Sequence, residues 1–175
     1  MGIVVGAEWS VAKSAEFARE AAYQDAVHAG IGMLRQMERT AAELVERLGG
    51  KGHGGEAATR AVDELRARGL VDDARVAAAR AGGGVRRRMA EPAIEAKLIG
   101  LGHDPGEARR AAAEAARGVD PCAEAERLVR ARLAMAKGED WARIRRRMAA
   151  LLARNGYEEE VVRDVLRTVL GAEED

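Results

Sequence analysis

The chain has few of the residues that build disulfide scaffolds, β-sandwiches or membrane spans. Its 175 residues include one cysteine, two tryptophans, two tyrosines and one phenylalanine. The single cysteine, Cys122, excludes an internal disulfide and is typical of a reducing compartment. So few aromatic residues argue against a β-sandwich.

No apolar run approaches the roughly 20 residues of a membrane-spanning helix. The first residues also lack the basic stretch of a secretory signal. These absences predict a cytoplasmic protein without a membrane anchor.

Uncharged polar side chains are equally scarce, which weighs against an enzyme. The sequence has two serines, three threonines, one asparagine and two glutamines. Nucleophilic catalysis and oxyanion holes depend on such groups, so we expect no catalytic residue and no cofactor. Basic and acidic residues balance at 29 each, so the chain also lacks the cationic excess of a dedicated DNA-coating protein.

Helices are predicted by alanine, which occurs 38 times, and by repeated start signals. The residues at 40–43, Thr-Ala-Ala-Glu, form a capping box before an apolar segment. Asp-Pro pairs at 104–105 and 120–121 place an N-cap ahead of a proline at the first helical position. Asp140 is predicted to cap a helix whose apolar stripe begins at Trp141.

A first helix is predicted from about residue 15 to 37, with Phe17, Ala21, Ala22 and Tyr23 supplying part of its apolar face. Gly30 and Gly32 weaken helix propensity, and we interpret them as a break.

Another helix is predicted to start at Asp72 or Asp73, to continue through Val76 and Ala79, and to end at 82–84, Gly-Gly-Gly. The two aspartates could form a carboxylate pair. Because adjacent residues point to different sides of a helix, capping is the preferred interpretation.

An internal repeat is indicated by Gly52, Gly102 and Gly156, which lie about 50 residues apart. Each glycine follows a leucine by four positions and directly precedes a ring-bearing residue: Leu48 and His53, Leu98 and His103, Leu152 and Tyr157. Such periodicity is typical of stacked helical units, each of which buries its apolar face against its neighbour.

Two patterns resemble reactive or metal sites but favour structural roles. His53 and His103 occupy equivalent positions, yet the third repeat carries Tyr157 there and no ligand cluster adjoins them. We expect these rings to pack against the preceding helix end, and no metal to bind. Cys122 lies at a predicted helix N-terminus, where the dipole lowers a thiol pKa, but a small apolar role is favoured.

Two arginine runs are the candidate functional residues. One hypothesis is that they form a solvated helix surface, on which the arginine stems cover apolar groups. The other is that they anchor an acidic protein surface or phosphates. The residues are Arg86, Arg87, Arg88, Arg143, Arg145, Arg146 and Arg147.

Four segments, at 39–44, 65–75, 119–133 and 152–162, resemble the RecX family in their order and spacing. The most specific parts are Gly-Leu-Val-Asp-Asp at 69–73 and Arg-Asn-Gly-Tyr at 154–157, and the resemblance covers about residues 22–171. The chain departs from the family where aromatic residues are usual, at Val76 and Ala79.

The resemblance implies an all-α protein of tandem three-helix units, elongated and curved. It implies a monomeric negative modulator that lies in the groove of the RecA–DNA filament and inhibits ATPase, strand exchange and co-protease activity. On this basis residues 1–21 would form a lead-in, and 22–83, 84–119 and 120–175 would form the three units, the last with a short acidic tail. A helical DNA-binding module that uses the same arginines on phosphates is the alternative.

Overall fold

The computed structural model describes residues 11–135 and 140–171, and every regular element in these ranges is an α-helix. The prediction of an all-α protein is therefore confirmed. None of these helices combines the length and the apolar character that crossing a membrane requires. Most of the predicted lead-in, residues 1–10, and the acidic tail, 172–175, lie outside the described residues. The helices are α1 (Val11–Gln36), α2 (Ala41–Gly50), α3 (Glu56–Ala67), α4 (Asp73–Arg86), α5 (Glu91–Gly100), α6 (Pro105–Ala116), α7 (Pro121–Leu133), α8 (Trp141–Arg154) and α9 (Glu159–Leu170).

The chain divides into two compact units, with the boundary between Val76 and Ala77. In the first unit, α1, α2 and α3 enclose a core centred on Leu44, Leu48 and Leu65, which are fully buried. The second unit contains two apolar cores, one formed by α4, α5 and α6 and the other by α7, α8 and α9. The predicted division into 22–83, 84–119 and 120–175 stays a prediction.

The three repeated glycines end α2, α5 and α8 in the same way. Gly52, Gly102 and Gly156 have φ of +91°, +84° and +81°, a conformation that glycine adopts without steric cost. The N–H of the residue after each glycine donates to the carbonyl of a buried leucine, at 2.9, 3.1 and 3.2 Å. This is the Schellman arrangement, and it explains the periodicity in the sequence.

The predicted helix caps are present. Thr40 and Glu43 form both hydrogen bonds of the capping box at α2. Asp104, Asp120 and Asp140 accept hydrogen bonds from the first backbone N–H groups of α6, α7 and α8. Local side-chain chemistry therefore sets these helix starts.

Asp72 and Asp73 cap two different helices. The Asp72 carboxylate accepts the N–H of Arg75 in α4 at 2.9 Å. The Asp73 carboxylate accepts the N–H of Ala41 in α2 at 2.7 Å, and Arg66 donates to its other oxygen at 3.3 Å. The capping interpretation is confirmed, and Asp73 in addition fixes the start of α2 within the first unit.

The predicted break at Gly30 and the predicted helix end at 82–84 are wrong, because α1 and α4 run through these glycines. A Cβ at Gly30 would lie 2.7 Å from Cδ1 of Leu65, and a Cβ at Gly84 would lie 2.7 Å from Cγ1 of Ile94. The glycines are therefore positions of close packing, and the buried contact outweighs their low helix propensity.

Several predicted apolar positions are exposed. Phe17 is 67% exposed, and Ala21 and Ala22 are exposed as well, whereas the predicted burial of Tyr23 is confirmed. The other buried residues of α1 include Ala26, Val27 and Met33. Along α4 the core contains Val76, but Ala79 is exposed. Trp141, assigned to the stripe of α8, is 66% exposed because it is the first residue of the helix.

Candidate partner-binding surface

Arg86 and Arg87 lie at the C-terminal end of α4 and are both exposed. Neither forms an ion pair with a carboxylate in the part of the chain that the structure describes. Cationic side chains at a helix C-terminus interact favourably with the helix dipole, so they have a local structural role as well as being available to an anionic partner.

Arg88 differs from Arg86 and Arg87 because it lies in the turn after α4 with a left-handed backbone. Its φ of +58° is the one positive value at a non-glycine residue among those described, and such a backbone costs roughly 1–2 kcal/mol. Three contacts compensate. Its N–H donates to Val85 O at 2.8 Å, its guanidinium pairs with the Glu124 carboxylate at 2.6 Å, and its carbonyl accepts the Tyr157 hydroxyl at 2.9 Å.

Tyr157 is buried at the junction of these contacts. Burial, followed by the Glu124 carboxylate and against the opposing effect of Arg88, raises the pKa of its hydroxyl to about 12. The neutral hydroxyl therefore acts as a permanent donor to the Arg88 carbonyl. Arg88, Glu124 and Tyr157 line a groove of about 470 Å³ together with Val85 and Pro92, and its lining is largely apolar.

The second predicted cluster lies in the first half of α8. Arg143, Arg146 and Arg147 are exposed, whereas Arg145 is half-buried and donates to the carbonyl of Gly171 at 2.6 Å. Helix α8 contains five arginines and no acidic residue. Arg143 and Arg146 form no ion pair with any carboxylate of the described residues.

An open basin of about 420 Å³ lies between the end of α7 and α8. Arg132, Arg147 and Arg154 surround it, and Met135 and Leu151 supply apolar surface. Met135 is 78% exposed. The basin therefore combines a cationic rim with an apolar lining, which suits an anionic partner that also presents apolar groups.

The structure does not bring the two predicted clusters together in one cavity. Arg88 lines the groove beside Tyr157, and Arg147 lines the basin beside Met135.

Sequence reasoning missed Arg132, Met135, Trp141 and Arg154 as members of this surface. For Trp141 a signal existed, since it directly follows the cap Asp140 and so precedes the first complete turn of α8.

The expected packing of the histidines is confirmed at His103, which is 5% exposed and lies 2.9 Å from an Arg80 nitrogen through Nε2. His53 is partly buried at the equivalent position. Across residues 11–135 and 140–171, no three His, Cys, Asp or Glu side chains are grouped as metal ligands would be.

Cys122 is exposed, not half-buried. Its pKa is raised, first by desolvation and then by carboxylates led by Asp120 and Asp164. The raised pKa disfavours the thiolate, which is the nucleophilic form of cysteine.

Curated relatives share much of the sequence. The chain is 40% identical to the regulatory protein RecX of Mycobacterium ulcerans (strain Agy99), over 82% of this chain and 83% of that protein. It is 35% identical to the protein of the same name from Mycobacterium avium (strain 104), over 81% of this chain and 82% of that protein. No family model matches the chain.

Solved structures share the fold. A crystal structure of regulatory protein RecX superposes with a TM-score of 0.74 at 17% identity, covering 91% of this chain and 79% of that one. RecX from Lactobacillus salivarius gives a TM-score of 0.64 at 13% identity, covering 86% and 97%. Both identities are low, so these structures support the helical repeat fold alone. The family is shown by the curated relatives, which are 40% and 35% identical over 82% and 81% of this chain: the chain belongs to the RecX family of regulatory proteins.

Proposed function

We propose that this protein is a negative modulator of the RecA recombinase, and that it binds the RecA–DNA filament as a monomer. In this role it inhibits ATP hydrolysis, strand exchange and co-protease activity. The support is the family to which the chain belongs, together with the exposed Arg143 and Arg146, which pair with no carboxylate of the described residues. DNA is contacted secondarily, within the filament.

The observation that carries the proposal is the acid-free first half of α8. Arg143 lies in the first helical turn, where the positive end of the helix dipole opposes a cation by about 0.3–1 kcal/mol. Arg143 and Arg146 lie three positions apart on the same side of the helix, and such like-charged neighbours cost about 0.2–0.5 kcal/mol. An arrangement that lowers the stability of the free protein is explained when an anionic partner neutralises it.

Trp141 favours a protein partner within this surface. It is exposed at the start of the helix that carries the arginines. Tryptophan and arginine are the residue types most enriched at the energetic centres of protein interfaces. Arg86 and Arg87, also exposed, form a second anchor, and Arg88 contributes by holding the end of α4.

The test is the ATPase activity of the cognate RecA on single-stranded DNA, titrated with this protein. We expect inhibition at concentrations well below that of RecA. Replacing Arg143 and Arg146 together by glutamine should weaken inhibition by about 10-fold or more, because two charged anchors of the interface are lost. The matched control is Arg163→Gln with Arg167→Gln in α9, which should change it by less than about twofold.

A DNA-binding module using the same arginines predicts a different result. Binding to naked single-stranded DNA would then occur without RecA and would fall steeply as salt increases. Salt-sensitive DNA binding without inhibition of the ATPase would contradict the filament proposal. Helical circular dichroism of each variant must match that of the parent, and sedimentation velocity reports whether the active species is a monomer.

A further inference from the structure

A basic basin in the first unit has no part in the surface described above. It is an open cavity of about 500 Å³ between the end of α1 and helix α2. Met33 and Gln36 of α1 line one side of it. Three cationic side chains, Arg39, Arg47 and Lys51, line the rest together with a single carboxylate, that of Glu46.

The cations of this basin lack the partners that other arginines of the unit have. Arg60, Arg66 and Arg75 each pair with a carboxylate on another part of the first unit. Arg39, Arg47 and Lys51 form no such pair within the part of the chain that the structure describes, even though Glu46 lines the same cavity. Their charges are thus left uncompensated by the fold.

Arg39 is the most informative of the three. Its Nε is buried and meets no hydrogen-bond acceptor among the described residues. A donor withdrawn from water without an acceptor lowers the stability of the protein, more so when it carries charge. An anion entering the basin would supply the missing acceptor.

The backbone around Arg39 is fixed by contacts that do not use its side chain. Thr40, the next residue, forms the capping box with Glu43, and Asp73 accepts the N–H of Ala41. The backbone position of Arg39 at the wall of the basin is therefore set before a ligand arrives, so binding need not order this stretch of chain.

We propose that Arg39, Arg47 and Lys51 form an oxyanion site that receives a carboxylate from an acidic segment of a protein partner. The forked guanidinium of Arg39 suits a carboxylate geometrically. Glu46 disfavours a nucleic-acid strand, because a strand brings a series of phosphates of which some would approach that carboxylate. An acidic peptide carries its charges on flexible side chains, so it can place one carboxylate at Arg39 and keep the others away from Glu46. The site lies in the first unit, and its test needs no RecA, so it stands or fails separately from the proposed function.

The experiment titrates the full chain with hexaglutamate peptide, and separately with hexathymidylate, at low salt. The readouts are the NMR resonances of the Arg39 Nε–H group, identified by its loss in Arg39→Met, and of the Gln36 side-chain amide. We expect saturable shifts of both with hexaglutamate. The affinity measured at Gln36 should fall about 10-fold or more in Arg39→Met. Arg35→Met, the matched control on an exposed arginine outside the basin, should change it by less than about twofold.

Stability distinguishes a ligand site from a structural arginine. Because Arg39 Nε has no acceptor in the free protein, Arg39→Met should keep or raise the thermal midpoint. A fall of about 4 °C or more would mean that Arg39 supports the fold and would overturn the proposal. So would the absence of any shift at Gln36, or shifts produced by hexathymidylate at lower concentration than by hexaglutamate.

Discussion

Helices α8 and α9 share one apolar core but treat their arginines in opposite ways. Met148 and Leu152 of α8 and Val165 and Leu166 of α9 are buried in the same cluster. In α9, Arg163 pairs with Glu159 at 3.3 Å and Arg167 with Asp164 at 2.7 Å. In α8, five arginines occur without a single acidic residue.

The difference shows which charges serve the fold and which are available to a partner. Both helices bury apolar side chains in this core. Arg145 of α8 also donates to the carbonyl of Gly171, whereas Arg143 and Arg146 pair with no carboxylate of the described residues. The balanced total of 29 basic and 29 acidic residues conceals this uneven distribution. Net charge does not show the cationic surface of α8. It becomes visible when Arg143 and Arg146, which pair with no carboxylate of the described residues, are compared with Arg163 and Arg167 of α9.

The ends of the two helices offer the largest contrast in stability. Gly156 follows α8 with φ +81°, and a Cβ there would lie 2.7 Å from the backbone N of Ala93. Gly171 follows α9 with φ +87°, and a Cβ there would meet nothing within 4 Å. We expect Gly156→Ala to destabilise by about 3 kcal/mol, from backbone strain plus steric overlap, and Gly171→Ala by about 1 kcal/mol.

Urea unfolding of both variants at 25 °C measures this difference. Equal losses of unfolding free energy would mean that the end of α8 does not pack against Ala93 of α5, and the positive φ would be the remaining reason for a glycine at the third repeat position.

Gly156 also shows what the sequence could predict. Its spacing from Gly52 and Gly102, and the caps at Thr40 and Asp140, depend on residues a few positions apart. Such local chemistry determines helix ends wherever the fold allows, so these predictions hold.

Non-local contacts explain the failures. Nothing near Gly30 in the sequence announces Leu65, and nothing near Gly84 requires the side chain of Ile94 to press against it. The low helix propensity of glycine therefore predicts a helix break at both positions, whereas the contacts with Leu65 and Ile94 keep α1 and α4 continuous. The same limit applies to the surface, because the arginine runs were visible in the sequence whereas the basin that includes Arg132 and Arg154 exists only once α7 and α8 are folded.

A smaller effect tests how the end of α8 is held. Tyr157→Phe removes the donor to the buried carbonyl of Arg88, which should cost about 1 kcal/mol near neutral pH. The folded pKa of about 12 lies above the value of roughly 10 in an unfolded chain. The stabilisation is therefore complete below pH 10 and is lost as the pH rises towards 12.

The measurement is the difference in unfolding free energy between the parent and Tyr157→Phe from pH 8 to 12, in which other titrating groups cancel. The difference should shrink across this window. A constant difference would show that the hydroxyl does not donate at the end of α8, and the contrast with the open end of α9 would be weaker.

The smallest effect is the most direct test, because the two helices should respond with opposite signs. Arg143→Glu places a carboxylate in the first turn of α8, one turn before Arg147, and should stabilise by about 0.5–1 kcal/mol. Arg163→Glu breaks the pair with Glu159 and creates a like-charged pair one turn apart, so it should destabilise by about 0.5 kcal/mol.

Both changes in unfolding free energy should diminish between 20 mM and 0.5 M salt, since these charges are exposed. If Arg143→Glu stabilises the protein and also weakens RecA inhibition, Arg143 contributes to partner binding at a cost to the stability of the free protein. Destabilisation by Arg143→Glu would mean that they support it, and the distinction between the two helices would collapse.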